Sequence, residues 1–226
     1  MGRTPLKERE LPEYTRGEEI FNMVSHIVGG VFAIAALVLC IIVATIHNNT
    51  YGIVSSAIYG TSMIFLYTMS SIYHGLSPKR TAKKVFQIID HCSIFLLISG
   101  TYTPLLLCSI READPITAWW LFGIVWGLTI LGITLNAIDL KKFKIFSMIC
   151  YLVMGWCIIF KIGILYNAIG FTGFMLILSG GISYTIGAGM YILAKKKHIK
   201  YMHSIFHLAV LIASILHFLA IILYVL

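Results

Sequence analysis

Two histidines near the end of the chain have the spacing that a metal site on a helix requires. His203 and His207 lie four residues apart in the segment HSIFH, so on a helix they share one face, with Cβ atoms about 5–6 Å apart. With His74, in the segment SSIYH, they would form a set of three imidazoles plus one water, the composition of an open, catalytic zinc site. An HxxxH pattern also arises without metal, and this one lacks the Glu of the HExxH zincin motif.

Ser70 and Asp90 are the candidate catalytic partners of such a site. Ser70 lies one helical turn from His74 and on the same helix face, so its hydroxyl could hydrogen-bond whatever occupies the fourth position on the metal. Asp90, in the segment IIDHCSIF, could accept a proton from the water as a general base. Taken singly, His74 or Asp90 could instead be an interfacial residue that faces lipid headgroups.

A second polar group precedes the first apolar run, in the segment EEIFNMVSH. Glu19, Asn22 and His26 are spaced at three and four residues, so on a helix they also share a face. They are candidates for hydrogen-bonding the metal ligands from outside. An equally good interpretation is a helix N-terminus whose acidic residues favour the helix dipole.

Two further histidines fall within apolar runs. His217 lies ten residues beyond His207, about 15 Å along a helix axis, so it cannot share the same metal. We interpret it as a core histidine. His91 should point away from the helix face that carries Asp90, and its role stays open.

The elements that must position these side chains are membrane helices. Of the 226 residues, 59% are hydrophobic and 12% are charged, about half the charged fraction of a typical globular chain. A helix needs about 20 mostly apolar residues to cross the hydrocarbon core of a membrane. We therefore predict an all-α fold, a seven-helix transmembrane bundle at residues 26–226, preceded by a cytoplasmic segment at residues 1–25. The predicted spans are 26–46, 52–73, 85–107, 118–138, 145–160, 171–193 and 201–226.

The basic residues indicate the orientation of this bundle. Four segments, one before the first span and one after each of the second, fourth and sixth, hold 15 of the 17 lysines and arginines; the opposite connections hold only Arg111 and Lys161. The positive-inside rule then predicts a multi-pass protein of the cell membrane with a cytoplasmic N-terminus and an external C-terminus. In this orientation the candidate site residues lie at the cytoplasmic ends of their helices.

The same features exclude several classes of protein. The formal charge of +8 is spread over separate segments, which favours contact with the bilayer surface over binding to nucleic acid. The five cysteines lie in apolar runs without a CxxC pair, so we predict neither disulfides nor a cysteine zinc site. A retinal pump is excluded because the last span has no lysine after Lys200 for a Schiff base.

At these residues the chain resembles the hemolysin III family, the bacterial branch of the progestin and adipoQ receptor (PAQR) proteins, which are related to the alkaline ceramidases. The resemblance implies a seven-helix fold with the N-terminus inside and a zinc bound by His74, His203 and His207. It also implies that Asp90 contacts the water at the zinc and that Ser70 lies close by. The matching segments cover nearly the whole chain: EEIFNMVSH (18–26), SSIYH (70–74), IIDHCSIF (88–95), MGW (154–156), GGISYTIGAGMY (180–191) and HSIFH (203–207).

The resemblance to this family leaves three functions open. The eukaryotic relatives hydrolyse lipid amides, notably ceramides, or act as hormone receptors with such an activity, which indicates a zinc-dependent hydrolase with a membrane lipid as its substrate. The bacterial branch is named for haemolysis attributed to pore formation and is also connected with membrane homeostasis, so a cytolysin with a structural zinc is the alternative, although no span shows a polar stripe that could line a wide pore. A membrane sensor or receptor is the third function. The oligomeric state stays open.

Overall fold

The computed structural model describes residues 4–197 and 199–226, with side chains for all of these except residues 194–197. Within these residues the chain is helical and forms no strand. A π-helix (Leu105–Ile110) and a short turn (Arg111–Ala113) extend α3, and a 3-10 turn (Cys157–Lys161) follows α5. The long helices are α1 (Arg16–Ile46), α2 (Thr50–Gly75), α3 (Thr81–Pro104), α4 (Pro115–Asp139), α5 (Lys144–Trp156), α6 (Ile162–Lys197) and α7 (Met202–Tyr224).

Polar side chains cap several of these helices. Thr15 and Glu18 form a capping box at the start of α1: the Thr15 hydroxyl accepts from the Glu18 backbone N–H, and the Glu18 carboxylate accepts from the Thr15 backbone N–H. Asn49 caps α2, and Asp114 caps α4, where Pro115 occupies the first helical position. Helix α1 thus begins ten residues before the first predicted span.

Among the described residues, six helical stretches are long and apolar enough to cross a membrane. The predicted spans 145–160 and 171–193 fall within one of them, Lys144–Leu193, which is 50 residues long. As one straight helix it would extend about 75 Å, more than twice the thickness of a bilayer's hydrocarbon core. It is interrupted at Gly170, whose φ of 69° is a conformation that glycine adopts without strain.

The helices pack side by side around the chain's apolar core. Helix α1 packs along α2, α2 along α3, and α6 along α7, while α7 closes the bundle against α1. The outward faces are apolar, with side chains such as Val31, Trp120 and Phe160 mostly exposed. We call the end at which α1, α3, α5 and α7 begin the basic end, because Arg16, Lys84 and other basic residues cluster there.

The segment before α1 lies across the basic end. The Thr4 backbone N–H donates to the Asp139 carboxylate at 2.9 Å, at the last residue of α4. The guanidinium of Arg9, which is buried, donates to the Ile138 carbonyl at 3.0 Å. The segment is therefore held at the end of α4 and runs from there to the start of α1.

Candidate metal centre

His203 and His207 lie on the first two turns of α7, and both side chains are buried. Their Nε2 atoms are 3.1 Å apart. Two nitrogens bound to one tetrahedral zinc at about 2.0–2.1 Å would be about 3.3 Å apart. The pair therefore has the separation that two ligands of one metal ion require.

The start of α7 is tied to the start of α1, which fixes where these histidines lie. Tyr201 adopts a left-handed conformation with φ 61°, and its backbone N–H donates to the Glu18 carboxylate at 2.7 Å. Glu18 is the residue that completes the capping box of α1, so one carboxylate joins the first turns of both helices.

His74 reaches the same point from the last turn of α2. Its ring centroid lies 5.4 Å from that of His203 and 4.9 Å from that of His207. One nitrogen from each of the three imidazoles can be chosen so that all three lie within 4.8 Å of one another, and all three side chains are buried. The group predicted from the sequence is thus brought together in space and could hold a metal ion.

Glu19 holds the His74 ring at the nitrogen that does not face the metal position. The Nδ1 atom of His74 donates to the Glu19 carboxylate at 2.7 Å, which leaves the lone pair on Nε2. That Nε2 is buried and has no hydrogen-bond partner among the described residues. A carboxylate that fixes the tautomer and raises the basicity of a ligating imidazole is a common feature of zinc sites.

Lys83 completes this network, a role that the sequence did not indicate. Its ammonium donates to the second oxygen of Glu19 at 2.8 Å and to the Leu76 carbonyl at 2.9 Å. The Lys83 side chain is only 1% exposed, so it is a structural cation, unlike the exposed Lys79 and Arg80 that precede α3. Glu19 is thereby held between a lysine and a histidine.

His26 and Asn22 lie on α1, on the helix face that also carries Glu19. The His26 ring is 3.9 Å from that of His207, centroid to centroid, and contacts the Tyr67 ring edge-on. Both His26 nitrogens and both amide atoms of Asn22 are buried without a hydrogen-bond partner among the described residues. Two residues of the predicted face, Glu19 and His26, thus contact His74 and His207, and Asn22 lies between them on the same helix face.

Tyr14 covers the group from the basic end, a role that no pattern in the sequence indicates. Its ring stacks on His203, with centroids 4.9 Å apart and planes at 12°, and lies 5.8 Å from His74. Burial raises the pKa of the Tyr14 hydroxyl well above its usual value. The hydroxyl therefore stays protonated and remains a hydrogen-bond donor beside the site.

Asp90 and Ser70 line a cavity together with His203 and His207. Asp90 lies in the third turn of α3, with its side chain 16% exposed, and its carboxylate is 3.8 Å from Nδ1 of His91. His91 lines the cavity too, and its Nδ1 lies 2.9 Å from the Gln87 carbonyl. The predicted catalytic residues thus share one space with two of the predicted ligands.

The cavity extends from the histidines into the middle of the bundle. It holds about 1350 Å³ of empty space, including its open mouth, and its walls are mostly aliphatic and aromatic. At its edge the indole N–H of Trp156 on α5 donates to the Thr185 hydroxyl on α6 at 3.0 Å. Thr185 is exposed on the outside of the bundle, so the cavity reaches the apolar exterior between α5 and α6.

The three imidazoles fit a zinc ion without a fourth protein ligand. Three neutral imidazoles, one of them held by a carboxylate, leave a position free for water, as in catalytic zinc sites. Buried ring nitrogens are costly when they have no partner, and the Nε2 atom of His74 has none among the described residues. A cation among the three histidines would satisfy it.

Comparisons with known proteins show to which family the chain belongs. The family described as "Haemolysin-III related" matches residues 14–218. The chain is 39% identical to "Hemolysin-3" of Bacillus cereus over 92% of each chain, and 39% identical to the "Hemolysin-3 homolog" of Bacillus subtilis (strain 168) over 93% of this chain and 96% of the other. It is 25% identical to the human "Monocyte to macrophage differentiation factor" over 97% of this chain and 88% of the other.

These matches confirm the resemblance seen in the sequence motifs, since they cover nearly the whole chain. Together with the six apolar helices they show a protein that crosses the membrane several times. The chain is a multi-pass membrane protein that belongs to the haemolysin-III-related family.

Proposed function

We propose that the protein is a zinc-dependent hydrolase that cleaves an amide or ester bond of a membrane lipid. The observation that carries this proposal is the convergence of His74, His203 and His207 at the end of an apolar cavity that Asp90 and Ser70 also line. A metal with only a structural role is usually enclosed by four protein ligands. Three imidazoles beside a cavity favour a catalytic role of the metal over a structural one.

The residues have separate roles in this reaction. His74, His203 and His207 would hold a zinc ion, whose chemistry there would be to lower the pKa of a water towards about 7. The Asp90 carboxylate accepts a proton from the attacking water and passes it to the amine or alcohol that leaves. The Ser70 hydroxyl donates a hydrogen bond to the carbonyl oxygen as negative charge develops there. Glu19 holds the His74 ring in the required tautomer.

The cavity indicates the kind of substrate. Its walls are apolar, and the polar groups that could act on a bond lie together at the basic end. The acyl linkage of a membrane lipid lies near the headgroup boundary, at the depth where helix ends are expected. Water would add its hydroxyl to the acyl carbon and its proton to the leaving amine or alcohol, giving a free fatty acid.

Seven membrane crossings with the basic end in the cytoplasm are part of this proposal. Lys144 lies at the basic end, whereas the Lys161 ammonium lies 3.2 Å from Asp114 in the connection between α3 and α4, at the other end. The chain then bends at Gly170, inside α6, and the rest of α6 returns to the basic end. This bend supports counting Lys144–Leu193 as two crossings.

Fusion of a reporter that is active only outside the cytoplasm tests this topology. We expect an active reporter after Leu226 and an inactive one between α6 and α7. The reverse pattern would overturn the orientation, and equal activity at both positions would contradict an odd number of crossings between them.

Cell lysis by pore formation is the second candidate, and the names of the Bacillus relatives favour it. Lipid extracts of cells that express the intact chain, the His203→Ala and His207→Ala double variant, or neither distinguish the two candidates. Hydrolysis predicts that one acyl-lipid class falls and its free fatty acid rises only with the intact chain. Identical lipid profiles, together with dye release from vesicles that contain the protein, would favour the cytolysin.

A further inference from the structure

Besides His26 and the three candidate ligands, a further buried histidine lines the cavity, at a distance from the metal ligands. His217 is ten residues beyond His207 on α7, about 15 Å along the helix axis. Its Nε2 lies 3.0 Å from the Ile177 carbonyl, and a carbonyl can only accept, so Nε2 carries the proton and Nδ1 carries a lone pair. That Nδ1 is buried without a hydrogen-bond partner among the described residues.

The imidazole is held firmly in this position. A Cβ at Gly180 on α6 would lie 2.3 Å from Cδ2 of His217, so only a glycine there lets the ring lie against the helix. That edge of the ring therefore faces α6, and the edge with Nδ1 faces the other way. The nearby hydroxyls of Tyr67 and Tyr184 both hydrogen-bond to Ser214, and neither is a hydrogen-bond partner of Nδ1.

A hydrogen-bond acceptor such as Nδ1 of His217 is unfavourable in an apolar cavity when it has no donor. The cavity that contains both His217 and the metal ligands His203 and His207 is lined by apolar side chains, among them Ile94, Ile98 and Val210. Leaving a buried acceptor unpaired costs about 1–3 kcal/mol. A ligand that follows the cavity from His207 to His217 can remove this cost if it brings a hydrogen-bond donor to that depth.

We propose that the cavity binds a single-chain lipid that carries a hydroxyl group near the middle of its chain, and that this hydroxyl donates to Nδ1 of His217. The inference rests on the proposed lipid-binding function of the cavity. A neutral hydroxyl fits better than an ammonium group because the apolar walls would leave a charge unsolvated. His217 is thus a specificity residue, about 15 Å from the group that would be cleaved.

Competition for binding tests the proposal with the full-length protein in detergent micelles. Radiolabelled stearate is displaced by unlabelled stearate, or by a stearate with one hydroxyl at mid-chain. We expect the hydroxylated chain to displace the label at about two- to tenfold lower concentration, the net value of one hydrogen bond. The advantage should vanish in His217→Phe and persist in His47→Phe, because His47 lies outside the cavity, beside the Leu226 carbonyl.

The outcomes separate this inference from the proposed function. If stearate binds but the hydroxylated chain shows no advantage in the wild-type protein, the role of His217 is wrong and the lipid cavity stands. If neither chain binds, both proposals fail. The wild-type comparison needs no folded variant, and His217→Asn, whose amide oxygen can accept in place of Nδ1, should retain part of the preference.

Discussion

The Nδ1 atom of His74 lies 2.7 Å from a carboxylate oxygen of Glu19, across the contact between α2 and α1. This one hydrogen bond leaves the lone pair on Nε2, so Nε2 is the nitrogen of His74 that is free to bind a metal together with His203 and His207. It also makes Glu19 part of the candidate centre, because the ring that Glu19 orients is one of its three imidazoles.

Zinc content should depend on the histidine pair of α7. We expect purified wild-type protein to contain about one zinc per chain and the His203→Ala, His207→Ala double variant to contain almost none, since a single imidazole would remain. Metal analysis by mass spectrometry measures this. His47→Ala is the matched control and should keep its zinc; a double variant with undiminished zinc would rule out the assignment.

Glu19→Gln should weaken zinc binding about 10- to 100-fold, the usual effect of losing a carboxylate behind a ligating histidine. It should also lower the unfolding free energy by up to about 3 kcal/mol, because the buried Lys83 ammonium loses its carboxylate partner and keeps only the Leu76 carbonyl. Competition with a chromogenic chelator measures the first effect and thermal melting the second.

A double variant separates these two roles of Glu19. Glu19→Gln combined with Lys83→Met removes both buried charges, so we expect the melting temperature to recover while zinc binding stays weak. Recovery of zinc binding in the double variant would mean that Glu19 acts only through the stability of the fold.

Much of the candidate centre could be predicted from spacing. Positions three and four apart on a helix share a face, and this places His203 beside His207 and aligns Glu19, Asn22 and His26. The depth of His74 follows from its place at the end of an apolar run. Which atoms meet could not be predicted, because the tautomer of His74 depends on a contact between two helices that are distant in sequence.

Other features leave no periodic signal in the sequence. Tyr14 lies in a segment without regular structure, and its contact with His203 depends on how that segment crosses the basic end. Lys83 resembles the neighbouring basic residues at the start of α3, and only the packed structure shows that it is buried. Composition likewise does not indicate that the chain stays helical between Trp156 and Gly170, and this is why two predicted spans appear as one stretch.

Tyr14→Ala should open the centre to the basic side. The stacked ring contributes about 0.5–1.5 kcal/mol, so we expect zinc to be extracted by a water-soluble chelator about two- to tenfold faster, with unchanged zinc content before the chelator is added. Stopped-flow measurement of the chelator complex follows the release. Tyr14→Phe keeps the ring and should behave as the wild type; equal rates in all three proteins would show that Tyr14 does not cover the site.

The most direct test of the proposed hydrolase is Asp90→Asn, with zinc content and turnover measured on the same preparation. Asparagine keeps the shape of the side chain but cannot accept the proton, so we expect zinc near the wild-type level, an unchanged melting temperature, and turnover of a ceramide-like or other acyl-lipid substrate lowered at least about 100-fold. Loss of zinc would make Asp90 a ligand of the metal. Unchanged turnover would contradict its role as the base, and with it the hydrolytic mechanism proposed for this cavity.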